Sequence, residues 1–243
     1  MSKNVIKRKE FEKFGDPNKK KRSGMRIGWQ FLKTWREKYK WPLHESRSTS
    51  ERRIISLERL VRDNILKKGT FRVKNILSKI VAWKTGGRYL AVQYFLENSD
   101  EYVENTVMEV LGILKMDSSN VFNCINLFRD MRGVGIPVAS TFLRFLDPIE
   151  HKYGIIDKNI ASFLNRKGIT DFSLESNRTI KNILKNVYEY CRFHYWLHKK
   201  AEELNEKNIT FRDIYGGVRS FAPVDVEMAL FAYTTEGRIF PNR

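Results

Sequence analysis

Apolar residues recur at three- and four-residue intervals through most of the chain. Val73, Ile76, Leu77, Ile80 and Val81 follow the i, i+3, i+4, i+7, i+8 spacing of a helix with one buried face. Val138, Ala139, Phe142, Leu143 and Leu146 repeat it, as do Ile180, Ile183, Leu184, Val187 and Cys191. A last helix is expected near Pro223, a residue favoured in a first helical turn, and carries Val226, Met228, Leu230 and Phe231. Alternation with period two is absent apart from short ambiguous runs such as residues 153–156, and no internal repeat is visible. The pattern predicts an all-α chain.

Punctuation along this pattern is sparse, and one instance stands out. The helical segment VFNCINLFRDM ends at Met131, and Arg132-Gly133-Val134-Gly135 follows. Pro137 then fits the first turn of a new helix, where its missing N–H costs nothing. Two glycines let the backbone reverse tightly and let another backbone come close. The free N–H groups at Gly133, Gly135 and Ile136 would form an anion site at the helix start. An ordinary helix–helix connection with a glycine C-cap explains the same turn.

Charge makes an anion relevant. The 243 residues carry a formal net charge of +17, with a pI near 9.9, a field that attracts polyanions. Residues 1–40 hold 14 Lys/Arg against 4 Asp/Glu, a net +10, so residues 1–24 read as a flexible basic arm ahead of a domain spanning 25–243. A solvated tail is the alternative to an electrostatic tether. In GWQFLKTWREKYKWP, aromatics alternate with cations, as in single-strand binders. The four-residue spacing of Phe31, Trp35 and Tyr39 favours one packing face of a helix instead.

Other chemistry is limited. Cys124 and Cys191 are too few for a disulfide scaffold or a four-cysteine cluster, and point to a reducing, intracellular compartment (cytoplasm or nucleoid, or nucleus in a eukaryote). No apolar run of 18 residues predicts a membrane span, and the N-terminus lacks the apolar core of a secretory signal. His194 and His198, four apart, continue the stripe of Val187 and Cys191 and read as packing, not as metal ligands. Asp225 and Glu227 read as acids serving a helix dipole. No metal site or cofactor is expected.

Residues 128–166 resemble the helix-hairpin-helix signature of the HhH-GPD superfamily of DNA base-excision glycosylases. The likeness rests on Met131-Arg132-Gly133-Val134-Gly135, Ala139-Ser140, Pro148, Ile155-Ile156 and Asp157, followed by Ile160, Phe163 and Asn165-Arg166. It spans roughly 40 residues and weakens toward both ends. The resemblance implies a two-lobed helical fold with the hairpin at about 121–146, a monomer on double-stranded DNA and no membrane. It implies that Arg132, Gly133, Val134, Gly135 and Ile136 hold a backbone phosphate. It also implies that Asp157 is a catalytic carboxylate facing an extruded nucleotide. Cleaving a C1′–N bond develops oxocarbenium charge, which a fixed carboxylate stabilises. As an N-cap ahead of KNIASFLN, Asp157 would have a structural role as well.

Two departures sharpen the expectation. Where strand-nicking members carry a nucleophilic lysine, two residues after the second glycine, this chain has Pro137. Two cysteines also exclude the family's iron–sulfur cluster. The resemblance thus implies a monofunctional glycosylase that leaves an abasic site in base excision, whether for DNA repair or for defence against modified DNA; Lys84 and Lys158 are the lysines that could substitute by proximity, and nothing in the sequence demands that they do. Trp83, Lys84 and Arg88, in a Trp-Lys-Thr-Gly-Gly-Arg stretch, suit the loop that enters the DNA stack, although Trp83 equally suits a core position at a helix end. A non-catalytic helix-hairpin-helix DNA- or RNA-binding protein is the alternative. A nuclease is disfavoured because the sequence shows no acidic metal cluster.

Overall fold

In the computed structural model, residues 27–39, 56–67, 72–147, 150–170, 187–213 and 216–239 are described. The basic arm, Lys40, Trp41, Pro148 and the first part of the helix expected from Ile180 lie outside them. The chain is predominantly helical, and the one sheet among the described residues has two strands.

The helices begin with α1 (Trp29–Lys38), then a helical run over 56–61 that passes into a π-helical turn, Arg62–Leu66. There follow α2 (Val73–Lys84), α3 (Tyr89–Leu96), α4 (Asp100–Met116), α5 (Val121–Arg129), α6 (Ile136–Leu146), α7 (Lys158–Arg166) and α8 (Val187–Glu206). Strands β1 (Thr210–Arg212) and β2 (Val218–Ser220) pair antiparallel, Phe211 opposite Arg219, before α9 (Pro223–Ile239). This hairpin escapes a periodicity reading because three residues per strand are too few to show alternation.

The predicted faces are the buried ones. Val73, Ile76, Leu77, Ile80 and Val81 are all buried on α2, and Val138, Ala139, Phe142, Leu143 and Leu146 on α6. The aromatic face of α1 packs inward: Phe31 and Trp35 both meet Tyr233 of α9 edge-on, at 5.0 and 5.2 Å between centroids, and Phe31 stacks on Phe163 of α7. Packing, not base stacking, accounts for these rings.

One core runs through the helices, and the contact of α5 with α8 joins its two ends. Helix α2 lies against α3, α4 and α6, and α5 against α4 and α6; α9 lies against α1, α7 and α8. The α1–α9 contact is locked by a buried ion pair, Arg36 Nε to Asp225 Oδ1 at 2.8 Å, while Asp225 Oδ2 accepts from the Ala222 N–H. Asp225 therefore serves its helix start, as expected, and also neutralises a buried arginine. Losing one partner of such a pair costs about 3–5 kcal/mol, because the other charge is stranded.

A cluster of Lys84, Asp157 and Glu227 beside a glycine turn

The extended segment 151–157 carries Asp157, and hydrogen bonds to its surroundings fix its path. The His151 carbonyl accepts from Val224 N–H, Gly154 O from the Tyr190 hydroxyl at 3.0 Å, and the Tyr153 hydroxyl donates to Ser118 O at 2.9 Å. The Ile156 N–H donates to Ser140 Oγ, whose own proton goes to Pro137 O. The small residue inside α6 is thus the hinge pin between the hairpin and the acid's segment. Gly154 is squeezed: a Cβ there would sit 2.4 Å from Leu197 Cδ1 and 3.1 Å from Glu227 Cβ.

Asp157 caps α7. Its Oδ1 accepts from the N–H groups of Asn159 and Ile160, both at 2.8 Å, which holds the carboxylate in one orientation and leaves Oδ2 outside the cap. Both roles read from the sequence remain compatible, and the cap supplies the rigidity that a charge-stabilising group needs.

Lys84 is the last residue of α2, and the helix end is built to hold it. Gly86 N–H donates to Trp83 O and Gly87 N–H to Ala82 O, with Gly86 at φ 67°, which is a Schellman closure. Trp83 packs edge-on against Phe145 of α6 at 5.8 Å. The indole therefore anchors the helix end and is not presented as an exposed tip. Arg88 is exposed at the start of α3, followed by exposed Tyr89 and Leu90.

Glu227 of α9 completes the group. It is 6% exposed, and burial pushes its carboxyl up to about 8; Lys84 and Arg144 oppose that shift and Asp157 adds to it, while the Ile155 N–H donates to it. Burial thus favours the protonated form of this carboxyl. Lys84 is half-buried, and burial lowers its pKa from the ordinary lysine value against the pull of Asp157 and Glu227. Lys84 of α2, Asp157 at the start of α7 and Glu227 of α9 thus lie close enough to act on one another electrostatically. Titratable groups shifted by burial and by each other mark candidate acid–base sites.

Sequence reasoning placed Glu227 at a helix dipole and Lys84 in a loop entering the DNA stack; in the fold both act electrostatically with Asp157. The signal for Glu227 is its register, an acid in the buried row of Val224 and Leu230. For Lys84 no local pattern exists, since its partners lie more than 70 residues away.

The glycine turn lies at the start of α6. Val134 N–H donates to Met131 O, the side chains of Val134 and Ile136 are buried, and Gly133 and Gly135 are exposed. Gly135 is the N-cap and no side chain caps the helix; Pro137 has no N–H and the Val138 N–H donates to Gly135 O, so the Ile136 N–H is the first-turn donor left for an anion. Gly133 has φ 82°, and a Cβ there would lie 2.9 Å from Phe95 N and 3.2 Å from Ala91 O: the close backbone approach is to α3. Asn98 locks the turn by accepting from Arg132 N–H at 2.9 Å and donating to Arg132 O at 3.0 Å. The Arg132 guanidinium pairs with Glu97 and lies over the Tyr94 ring. Val134 and Ile136 therefore contribute backbone groups, not side chains, to any ligand.

The remaining candidates are structural. His194 stacks on Tyr153 and meets His198 at 4.4 Å, and burial holds its pKa well below the ordinary value. Cys124 and Cys191 are free and buried, their thiols pushed up to about 12 by burial. Among the described residues, no group of three His, Cys, Asp or Glu could hold a metal ion, and no helix is long and apolar enough to cross a membrane. Comparison with protein-family models, curated proteins and solved structures found no match.

Proposed function

We propose that the chain is a DNA N-glycosylase that hydrolyses the bond between deoxyribose and a damaged, mismatched or modified base. The observation that carries this reading is the cap-fixed carboxylate of Asp157 together with the buried Glu227, whose carboxyl burial pushes toward the protonated form, in a chain that also holds an uncapped helix start at Gly135. The open Ile136 N–H of α6 takes a backbone phosphate, and the net charge of +17 supplies the attraction to a duplex. The base must leave the stack to reach the acids, at a cost of a few kcal/mol that phosphate contacts offset. Asp157 then stabilises the oxocarbenium charge on the sugar, and the Glu227 carboxyl is a proton donor for the departing base. Pro137 gives the hairpin no amine, so water accepts the sugar and an abasic site remains. On this reading the fold is two-lobed and the protein works as a monomer inside the cell.

Duplexes carrying single oxidised, deaminated, alkylated or hypermodified bases, incubated with protein and then heated in alkali, test the proposal. Breakage at one class of base is the expected result. Intact duplexes throughout, with binding retained, would favour a non-catalytic nucleic-acid-binding role for the same hairpin.

A further inference from the structure

Helix α3 turns one face outward along its length. Tyr89, Leu90, Gln93, Tyr94 and Glu97 fall at i, i+1, i+4, i+5 and i+8, a single helical stripe, and all are exposed. Tyr89 is 71% exposed and Leu90 63%, while Phe95 holds the other side of the helix in the core, 5.9 Å from the Phe142 ring. Cations stand at both ends of the stripe. Arg88 is exposed at its start. At its far end the Arg132 guanidinium lies over the Tyr94 ring, 5.3 Å from its centre, and pairs with Glu97, so the acid on the stripe is already neutralised. Tyr94 also borders the glycine turn: a Cβ on Gly133 would come 3.0 Å from Tyr94 Cβ.

We infer that this face of α3 is a stacking surface for unpaired nucleotides, through which the chain recognises single-stranded or gapped stretches of nucleic acid. The Tyr89 and Tyr94 rings and the Leu90 side chain take the faces of bases, and Arg88 and Arg132 take the phosphates on either side. Rings among cations suit a single strand, because every base has a π-face and every linkage a charge. An intact duplex keeps those faces in its own stack and cannot use the surface. Tyr89 and Tyr94 are five residues apart, roughly 7.5 Å along the helix axis and about two nucleotide steps of roughly 3.4 Å. Flanking charges that are both positive, on a chain of net charge +17, favour a polyanion over a protein partner. The aromatic residues of α1, which alternate with cations in the sequence, are packed inward; on α3 the rings are left exposed beside cations.

The inference shares the nucleic-acid reading with the proposed function but not its chemistry. Full-length protein is titrated, by fluorescence anisotropy, into a labelled duplex interrupted by a short gap of unpaired nucleotides and into the intact duplex of the same length. The gapped form should bind about tenfold more tightly or better. Tyr89→Ala and Tyr94→Ala should each remove about fivefold or more of that preference, with intact-duplex affinity unchanged, and Tyr89→Trp should keep it. Iodouracil placed in the gap and irradiated should cross-link to Tyr89 or Tyr94. Equal affinity for the two forms, a gap preference that survives both alanine changes together, or a cross-link mapped outside α3 would overturn the inference. So would a dimer in sedimentation that Tyr89→Ala dissolves, since the face would then be a contact between copies. Base release is scored on separate, intact duplexes, so either reading can fail alone.

Discussion

Gly133 and Gly135 flank one residue, and the structure assigns them opposite sensitivities. An alanine at 133 meets two obstacles. Holding a non-glycine residue at φ 82° costs about 1–2 kcal/mol, and forcing a methyl into the backbone of α3 adds roughly 1–3 kcal/mol. The atoms it meets are Phe95 N at 2.9 Å and Ala91 O at 3.2 Å, and helix backbone cannot swing aside as a side-chain tip can. Gly133→Ala is therefore expected to lose roughly 2–5 kcal/mol, a fall in Tm of about 5–15 °C for a chain of this size. Gly135 has φ −96°, and the nearest atom to an added Cβ is Pro137 Cδ at 3.7 Å, an ordinary contact. Gly135→Ala should cost less than about 1 kcal/mol of stability, but it places a methyl beside the N–H proposed to hold phosphate. Thermal and urea unfolding of the two variants, beside duplex binding, decide the matter. Equal stability losses in the two, or a neutral Gly133→Ala, would refute the assigned turn geometry.

Further expectations concern pH and charge. The folded-state pKa of Glu227, raised to about 8 from the ordinary 4.5, means that the folded protein binds the extra proton between those values. Its contribution to stability is fully present below pH 4.5 and is lost as pH rises through 8. Glu227→Gln should accordingly gain in Tm relative to wild type from pH 5 to pH 8.5; a difference that does not change with pH would contradict the buried, protonated carboxyl. Deleting residues 1–24 should weaken binding to duplexes of every sequence and flatten the dependence of log affinity on log salt. An unchanged slope would make the arm a bystander.

The helices were legible in the sequence wherever one apolar face repeats, because burial on one side is what the period encodes. The rows on α2 and α6 became core residue by residue, and Pro223 marked a helix start. The turn was legible as a turn, but not which glycine needs to be glycine: that depends on α3 standing where a Cβ on Gly133 would come 2.9 Å from Phe95 N. Asp157 was legible as both cap and candidate acid, since a cap is a local property. The cluster was not. Lys84 and Glu227 come to Asp157 from 73 and 70 residues away along the chain, and their protonation is set by burial that only the folded packing creates. The β-hairpin was missed for a different reason, its strands being shorter than any period they could display.

The central claim is that Asp157 serves chemistry as well as its helix, and Asp157→Asn separates the two. Asparagine keeps a side-chain oxygen for the Asn159 and Ile160 N–H groups and caps a helix about as well as aspartate, so fold and duplex binding should persist. The measurement is the single-turnover rate of abasic-site formation on the duplex that wild-type protein cleaves best, with affinity measured in parallel. A fall of roughly 10²–10³-fold in rate at unchanged affinity is predicted, the loss that follows removal of one preorganised electrostatic partner. A variant that forms abasic sites at the wild-type rate would contradict the account.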